Sequence, residues 1–303
     1  MRFSNEMRIT EKYRKAPDGF TLQQWELFNQ DGIIIIEDAI SDDDVAEYID
    51  AIDRVTSTDA KYQDGEYWGK DNIVELNSVF TNLIDHSRHV GFAYDIFGEL
   101  LKLHQSQIFI RPPGDNNYNI WHPDGARALP YGVFSSHLPL QIKIGYWLTD
   151  ISHQKMGNMV VMPGSHRQQY LDAYDTHESV SGERILCLPK GTMTIMNSSI
   201  WHRVEPNESE VMRKNIFVAY CPSWITPADR LQSSPEWMSI LNREQRIIMR
   251  SYKWAYRNAK PPAEDFPLFL DREIGLDCDP FFYSDHVKLH RRKRKIMPEK
   301  LDY

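Results

Sequence analysis

The chain has 303 residues, 41 % hydrophobic, 26 % charged and 12 % aromatic, the balance of an ordinary globular protein rather than a disordered or fibrous one. Thirty-five basic residues against 43 acidic ones give a formal net charge of -8, which speaks against a general nucleic-acid binder, because phosphate binding needs an excess of Lys and Arg. Three distant cysteines, Cys187, Cys221 and Cys278, with no CxxC pair, speak against a disulfide framework and a zinc knuckle.

Taken in chain order, residues 1–20 read as a polar lead-in without an apolar signal core. No apolar run reaches the roughly 18 residues of a membrane span, so a cytoplasmic protein with no membrane partner is expected. Ile33-Ile34-Ile35-Ile36 is a β-branched run and predicts a buried strand. Ser41 is a good N-cap, and Asp42, Asp43 and Asp44 sit where the helix dipole favours acids. Val45, Tyr48, Ile49, Ile52 and Val55 follow at helical spacing, which predicts an amphipathic helix over about 42–56. A second helix is predicted over roughly 88–103.

Beyond residue 103 the texture changes to short strands broken by Pro, Gly and Asn. Gln105 to Arg111 alternates and then meets Pro112-Pro113-Gly114; further strands are predicted near 138–148, Met159 to Met162, 191–204 and 211–221. Such a run of strands suggests a barrel or jelly roll. Helical spacing returns from Trp237 to Trp254, an irregular Pro-rich stretch follows, and the basic run His290 to Lys295 reads as a solvated tail. The expectation is one domain over 1–303, with a β core at about 105–222, a helical N-terminal flank at about 40–103 and a helical or irregular flank at 225–303.

The nucleotide-binding loops GxGxxG and GxxxxGK[ST], the GxSxG elbow and the HExxH zinc helix are all absent from the sequence. His122-Pro123-Asp124 carries the chemistry instead. Residues i and i+2 of an extended segment share a side, so one imidazole and one carboxylate can converge on Fe(II), Mn(II) or Zn(II). An HxD alone is weak evidence. His202 strengthens it. With a hairpin turn centred between Asn207 and Glu208, His202 and Arg213 would stand directly opposite one another, with Cβ atoms about 4.5–5.5 Å apart. Two His, one carboxylate and an Arg suited to bidentate carboxylate recognition would then meet in one place. A surface salt bridge from Arg213 to Glu205 or Glu210 is the competing reading. His166 is read as a turn or surface residue, and His104, His137 and His153 as satisfied or exposed ones.

Several stretches together resemble the phytanoyl-CoA dioxygenase family of Fe(II)/2-oxoglutarate-dependent oxygenases. They are Asp31-Gly32-Ile33, Trp121-His122-Pro123-Asp124-Gly125, Leu148-Thr149-Asp150, the run from Gly157 to His166, and Gly191 to His202 with Arg213. The resemblance implies a mainly β fold with flanking helices, a double-stranded β-helix (jelly roll, cupin-like). It implies that His122, Asp124 and His202 bind iron and that Arg213 grips the far carboxylate of 2-oxoglutarate. The expected reaction uses O2 and 2-oxoglutarate, hydroxylates a small metabolite or natural-product intermediate, and releases succinate and CO2. An intact Asp124 argues for hydroxylation, desaturation or cyclisation over halogenation. A cupin-like metalloenzyme that ignores 2-oxoglutarate is the alternative.

Gln105, Gln107, Phe109 and Arg111 share one strand face, from which Gln105 and Gln107 are candidates to hydrogen-bond 2-oxoglutarate. Edge-strand solvation is the competing reading. Trp121, Tyr131 and Phe134, around and after the HxD motif, are the candidate substrate-pocket aromatics.

Overall fold

The computed structural model describes residues 14–116, 118–124, 139–168, 171, 175–230, 232–250 and 268–269. Tyr131, Phe134, His137, Cys278 and the basic run at 290–295 lie outside the described residues.

Helix α1 (Leu22–Asp31) opens on a capping box between Thr21 and Gln24 and closes on Gly32, whose φ of 80° suits a residue without Cβ. Sequence reasoning passed over this helix, although the Thr-x-x-Gln spacing and the terminal glycine are its signals. Strand β1 (Ile33–Ile36) follows, and its outer half is only half-buried because it lies at a sheet edge. Helix α2 (Asp42–Thr56) starts on the Ser41 cap and buries Val45, Tyr48 and Ile52, as the spacing predicts. Strand β2 (Trp68–Asp71), a short helix α3 (Ser78–Thr81) and helix α4 (Val90–Phe97) come next.

The second predicted helix ends early. Gly98, at φ 55°, terminates α4, and strand β3 (Leu101–Arg111) begins four residues before Gln105. The remaining strands are β4 (Ile142–Trp147), β5 (Met159–Val161), β6 (Arg184–Ile185), β7 (Thr192–Asn197), β8 (His202–Val204) and β9 (Arg213–Pro222). Two short helices follow, α5 (Pro235–Ile240) and α6 (Arg243–Met249), split where a continuous helix over Trp237 to Trp254 was expected. Trp254 lies outside the described residues.

Among the described residues the strands form two antiparallel sheets, one of order β1-β7-β4-β9-β3-β2 and one of order β6-β5-β8. The β core thus takes in β1 and β2, and the N-terminal flank is not purely helical. Alternation assigns each face of the large sheet. Leu103, Ile108, Ile144, Tyr146, Ile195, Val218 and Tyr220 pack with the helices. Trp147, Met196 and Phe217 point the other way and pack with Met159, Val161, Leu186 and Leu188 from the small-sheet side. The candidate site lies between the two sheets.

Candidate metal centre

His122, Asp124 and His202 each offer one ligand atom, and these atoms all lie within 4.8 Å of one another. His122 and His202 are direct antiparallel bridge partners: each backbone N–H donates to the other's carbonyl at 3.0 Å. Their ring centroids are 4.4 Å apart. His202 belongs to β8, where it pairs with Val161 of β5. The His122 segment is held by Trp121, which donates from Nε1 to Glu178 O, and by Asn119, whose Oδ1 accepts from Val204 N.

Nδ1 of His122 lies 2.8 Å from Ile120 O, and Nδ1 of His202 lies 3.0 Å from Ile200 O. A carbonyl only accepts, so both Nδ1 atoms carry the proton and each Nε2 carries the lone pair that a metal would take. Each Nε2 sits 3.8 Å from an Asp124 carboxylate oxygen. Donors held about 2.1 Å from an ion and 90–120° apart would stand roughly 3–3.6 Å from one another. The donor set therefore fits a small divalent ion after a slight inward movement. Burial would raise the Asp124 carboxyl, but the Lys143 ammonium, with His202 and His122, holds it well below the usual carboxylate range.

The expected hairpin between His202 and Arg213 does not form. His202 faces His122, whereas Arg213 faces Arg111 across β3 and β9. The chain between β8 and β9 crosses from one sheet to the other instead of turning back on itself. Asn207 fixes that crossover: its Nδ2 donates to Arg111 O, Pro112 O and Val211 O, and its backbone N–H to Asp115 O. Arg213 and His202 nonetheless line the same cavity, of about 370 Å³.

Arg213 is 2 % exposed and stacks over Trp147 at 5.2 Å. It donates to Asn215 Oδ1 at 3.1 and 2.7 Å and to Gly157 O. Among the described residues it has no carboxylate partner; neighbouring Arg111 is the one paired, to Asp115 at 2.9 Å. Burial, and then the charge of Arg111, push Arg213 down to about 9. Gly157 makes this end of the cavity possible: its φ is 71°, and a Cβ there would stand 3.2 Å from Arg111 Cδ and 3.5 Å from Arg213.

Gln105 and Gln107 both line the cavity. The amide nitrogen of Gln107 is already committed, donating to Asp71 Oδ1 of β2 at 2.7 Å. Strand β2 covers β3 from Gln107 to Ile110, so edge solvation does not account for Gln107, whereas Gln105 lies beyond the end of β2. Trp121 is placed elsewhere. It is 1 % exposed, packs with Val160, Leu171 and Trp201 on the outer side of the small sheet, and carries the Arg203 guanidinium 5.4 Å from its ring. The alternation that aims His122 inward turns its neighbour outward, so Trp121 is not a cavity residue.

Sequence reasoning missed His104, Gln141 and Lys143, which also line the cavity. A β-bulge between Leu103 and Gln105 makes His104 an extra residue and turns it inward, which no alternation pattern reveals. Lys143 had a signal: a single cation inside the apolar run Ile142 to Trp147 of a strand buried throughout. His166 is a turn residue, but a buried one. Its Nε2–H donates to Asn29 O at 3.1 Å and its ring packs on Gly32.

The phytanoyl-CoA dioxygenase (PhyH) family pattern matches residues 28–215. The chain belongs to the phytanoyl-CoA dioxygenase family. Within this family it is similar to the ectoine dioxygenase of Streptomyces coelicolor, 26 % identical over 161 residues, 50 % of this chain and 53 % of that protein. The chain spans about half the length of the curated relatives it first matches. It is also similar to a probable alpha-ketoglutarate-dependent hypophosphite dioxygenase of Stutzerimonas stutzeri, 25 % identical over 66 % of this chain and 78 % of that protein. The fold resembles that of HygX from Streptomyces hygroscopicus, solved with nickel and 2-oxoglutarate, at TM-score 0.59 and 16 % identity over 67 % of this chain and 88 % of that one. It equally resembles EctD from S. alaskensis, solved with 2-oxoglutarate and 5-hydroxyectoine, at TM-score 0.58 and 21 % identity over 71 % and 79 %. Among the described residues no helix is long and apolar enough to cross a membrane.

Proposed function

We propose that the protein is a non-haem Fe(II)/2-oxoglutarate-dependent dioxygenase that hydroxylates a small metabolite with release of succinate and CO2. One observation carries the reading: a two-histidine, one-carboxylate ligand set shares a cavity with a buried guanidinium that has no anionic partner among the described residues. A buried charge without a counter-ion is costly, so Arg213 is a site for an anion. Two imidazoles and one carboxylate leave coordination positions open, as non-haem iron oxygenases require.

In this reading His122, Asp124 and His202 hold the metal, and Arg213 holds the far carboxylate of 2-oxoglutarate while Trp147 supports its guanidinium. Asn215 orients Arg213 through Oδ1. Gln105 and the carbonyl end of Gln107 remain for the co-substrate or substrate. The bound metal and co-substrate would supply O2 activation coupled to oxidative decarboxylation; the protein supplies ligation, orientation and exclusion of water. We read the two facing sheets as the halves of a double-stranded β-helix, the chain as one oxygenase domain, and a reducing cytoplasm as its setting. Relatives named for ectoine and for hypophosphite support a small polar molecule as the substrate.

The test is anaerobic titration of the protein with Fe(II) and 2-oxoglutarate. The expected result is a visible metal-to-ligand charge-transfer band in the wild type and none in His202→Ala. Iron binding without that band, together with no succinate release in air, would instead favour a metalloenzyme that ignores 2-oxoglutarate.

A further inference from the structure

Beyond the metal ligands and the arginine, the cavity holds a second group of polar side chains. Lys143 enters from β4, Gln141 from just before it, and His104 from the bulge of β3. Lys143 is 8 % exposed; its ammonium rests on the Asp124 carboxylate and 5.0 Å from the centre of the Phe217 ring. His104 is 1 % exposed and Gln141 3 %, and each has a buried polar atom, Nδ1 and Oε1 respectively, with no hydrogen-bond partner among the described residues. Burial, then the charges of Arg230, Lys102 and Lys143, push His104 down to about 4, so its imidazole is neutral at pH 7. Orphaned polar atoms in a protein interior are destabilising unless a ligand or water meets them.

The charges also fail to balance. Arg111 and Asp115 cancel as a pair. In the oxygenase reading, a divalent metal, the Asp124 carboxylate, dianionic 2-oxoglutarate, Arg213 and Lys143 leave the cavity with one surplus positive charge. Inside a protein such a surplus attracts an anion far more strongly than it would in water. Lys143 can meet that anion with up to three donors. A neutral imidazole in its Nδ1–H tautomer and a side-chain amide turned by 180° add neutral donors beside it.

We propose that Lys143, His104 and Gln141 form the subsite for the anionic end of the substrate, a compact oxyanion bearing a single negative charge. The proposal rests on the oxygenase reading. A carboxylate and a phosphorus oxyanion share the chemistry this subsite recognises. Lys143 is then the residue that sets specificity. The rival role for Lys143 is to position Asp124 alone.

Nickel(II)-loaded protein with saturating 2-oxoglutarate, titrated calorimetrically, separates these roles without turnover. The probes are propionate, methylphosphinate and the neutral propionamide. At least one anion binds about tenfold or more tightly than propionamide, and which anion does so identifies the oxyanion class. Lys143→Met removes that preference while nickel and 2-oxoglutarate still bind; Lys143→Arg retains part of it, and Lys143→Gln replaces the methionine variant should that one fail to fold. Three results would overturn the proposal: equal binding of anions and amide; an anion preference that survives in Lys143→Met, which would assign the anion to the metal; or loss of nickel affinity in Lys143→Met, which would assign Lys143 to Asp124. Failure of the wild type to bind nickel or 2-oxoglutarate at all would overturn the oxygenase reading and this inference with it.

Discussion

Arg213 projects from the first residue of β9 into a cavity where Trp147 covers one face and Asn215 fixes two of its nitrogens. A guanidinium so constrained has already lost its rotamer freedom, so little further entropy is lost when a carboxylate arrives. Arg213→Met is therefore expected to weaken 2-oxoglutarate binding about a hundredfold, equivalent to about 3 kcal/mol. Arg213→Lys should recover only part of this, because an ammonium cannot make the two-pronged contact. Titration of the metal-loaded variants with 2-oxoglutarate checks both; unchanged affinity in Arg213→Met would remove Arg213 from the site. At this scale the sequence was legible where spacing decides the geometry, as in His122 and Asp124. It was not legible at His104, whose inward aim depends on a bulge, nor at Trp121, whose burial on the outer side follows from which face the neighbouring sheet covers.

His89, at the start of α4, ties that helix to the large sheet. Its ring nitrogens meet the hydroxyls of Tyr146 on β4 and Tyr220 on β9, each at 2.7 Å, and Nε2 also lies 3.0 Å from Leu83 O. Burial, then the charge of His86, push His89 down to about 3. An unfolded histidine titrates near 6.5. Between these values the unfolded chain binds the proton and the folded chain does not, so stability falls as pH drops from about 6.5 toward 3. Each unit is worth about 1.4 kcal/mol, so the total loss is on the order of 3–5 kcal/mol. Urea unfolding between pH 4 and 8 should show this slope, and His89→Gln should flatten it; an unchanged slope would assign the acid sensitivity to other groups. Elements with strong local signals, such as α2 and the isoleucines of β1, were legible in advance. Helical spacing over 88–103 carries no sign of the positive φ at Gly98, so the strand that begins at Leu101 stands where that spacing predicts the end of a helix.

At the scale of the whole molecule, the candidate site exists only because two sheets face each other. His122 and His202 stand at the edge of the small sheet, Arg213 and Lys143 on the large one, and Asn207 pins the chain where it passes between them. Ligands that bridge the sheets should therefore stabilise the fold as a unit. With metal present and 2-oxoglutarate at about 100 times its Kd, the gain is about 2.7 kcal/mol, visible as a higher Tm. A 2-oxoglutarate analogue lacking the far carboxylate should give much less, and an equal rise with both would show that the large sheet takes no part.

By itself the amino-acid sequence determined the ligand types, the strand-rich core and the ordered motifs of the family, because these depend on residue identity and on periodicity along the chain. Only the tertiary structure decided which residues face each other. His202 was expected opposite Arg213 and stands opposite His122, because the segment around Asn207 joins two sheets rather than closing a hairpin. A crossover and a hairpin have similar turn chemistry, and the difference lies in long-range strand pairing, which the local pattern does not encode.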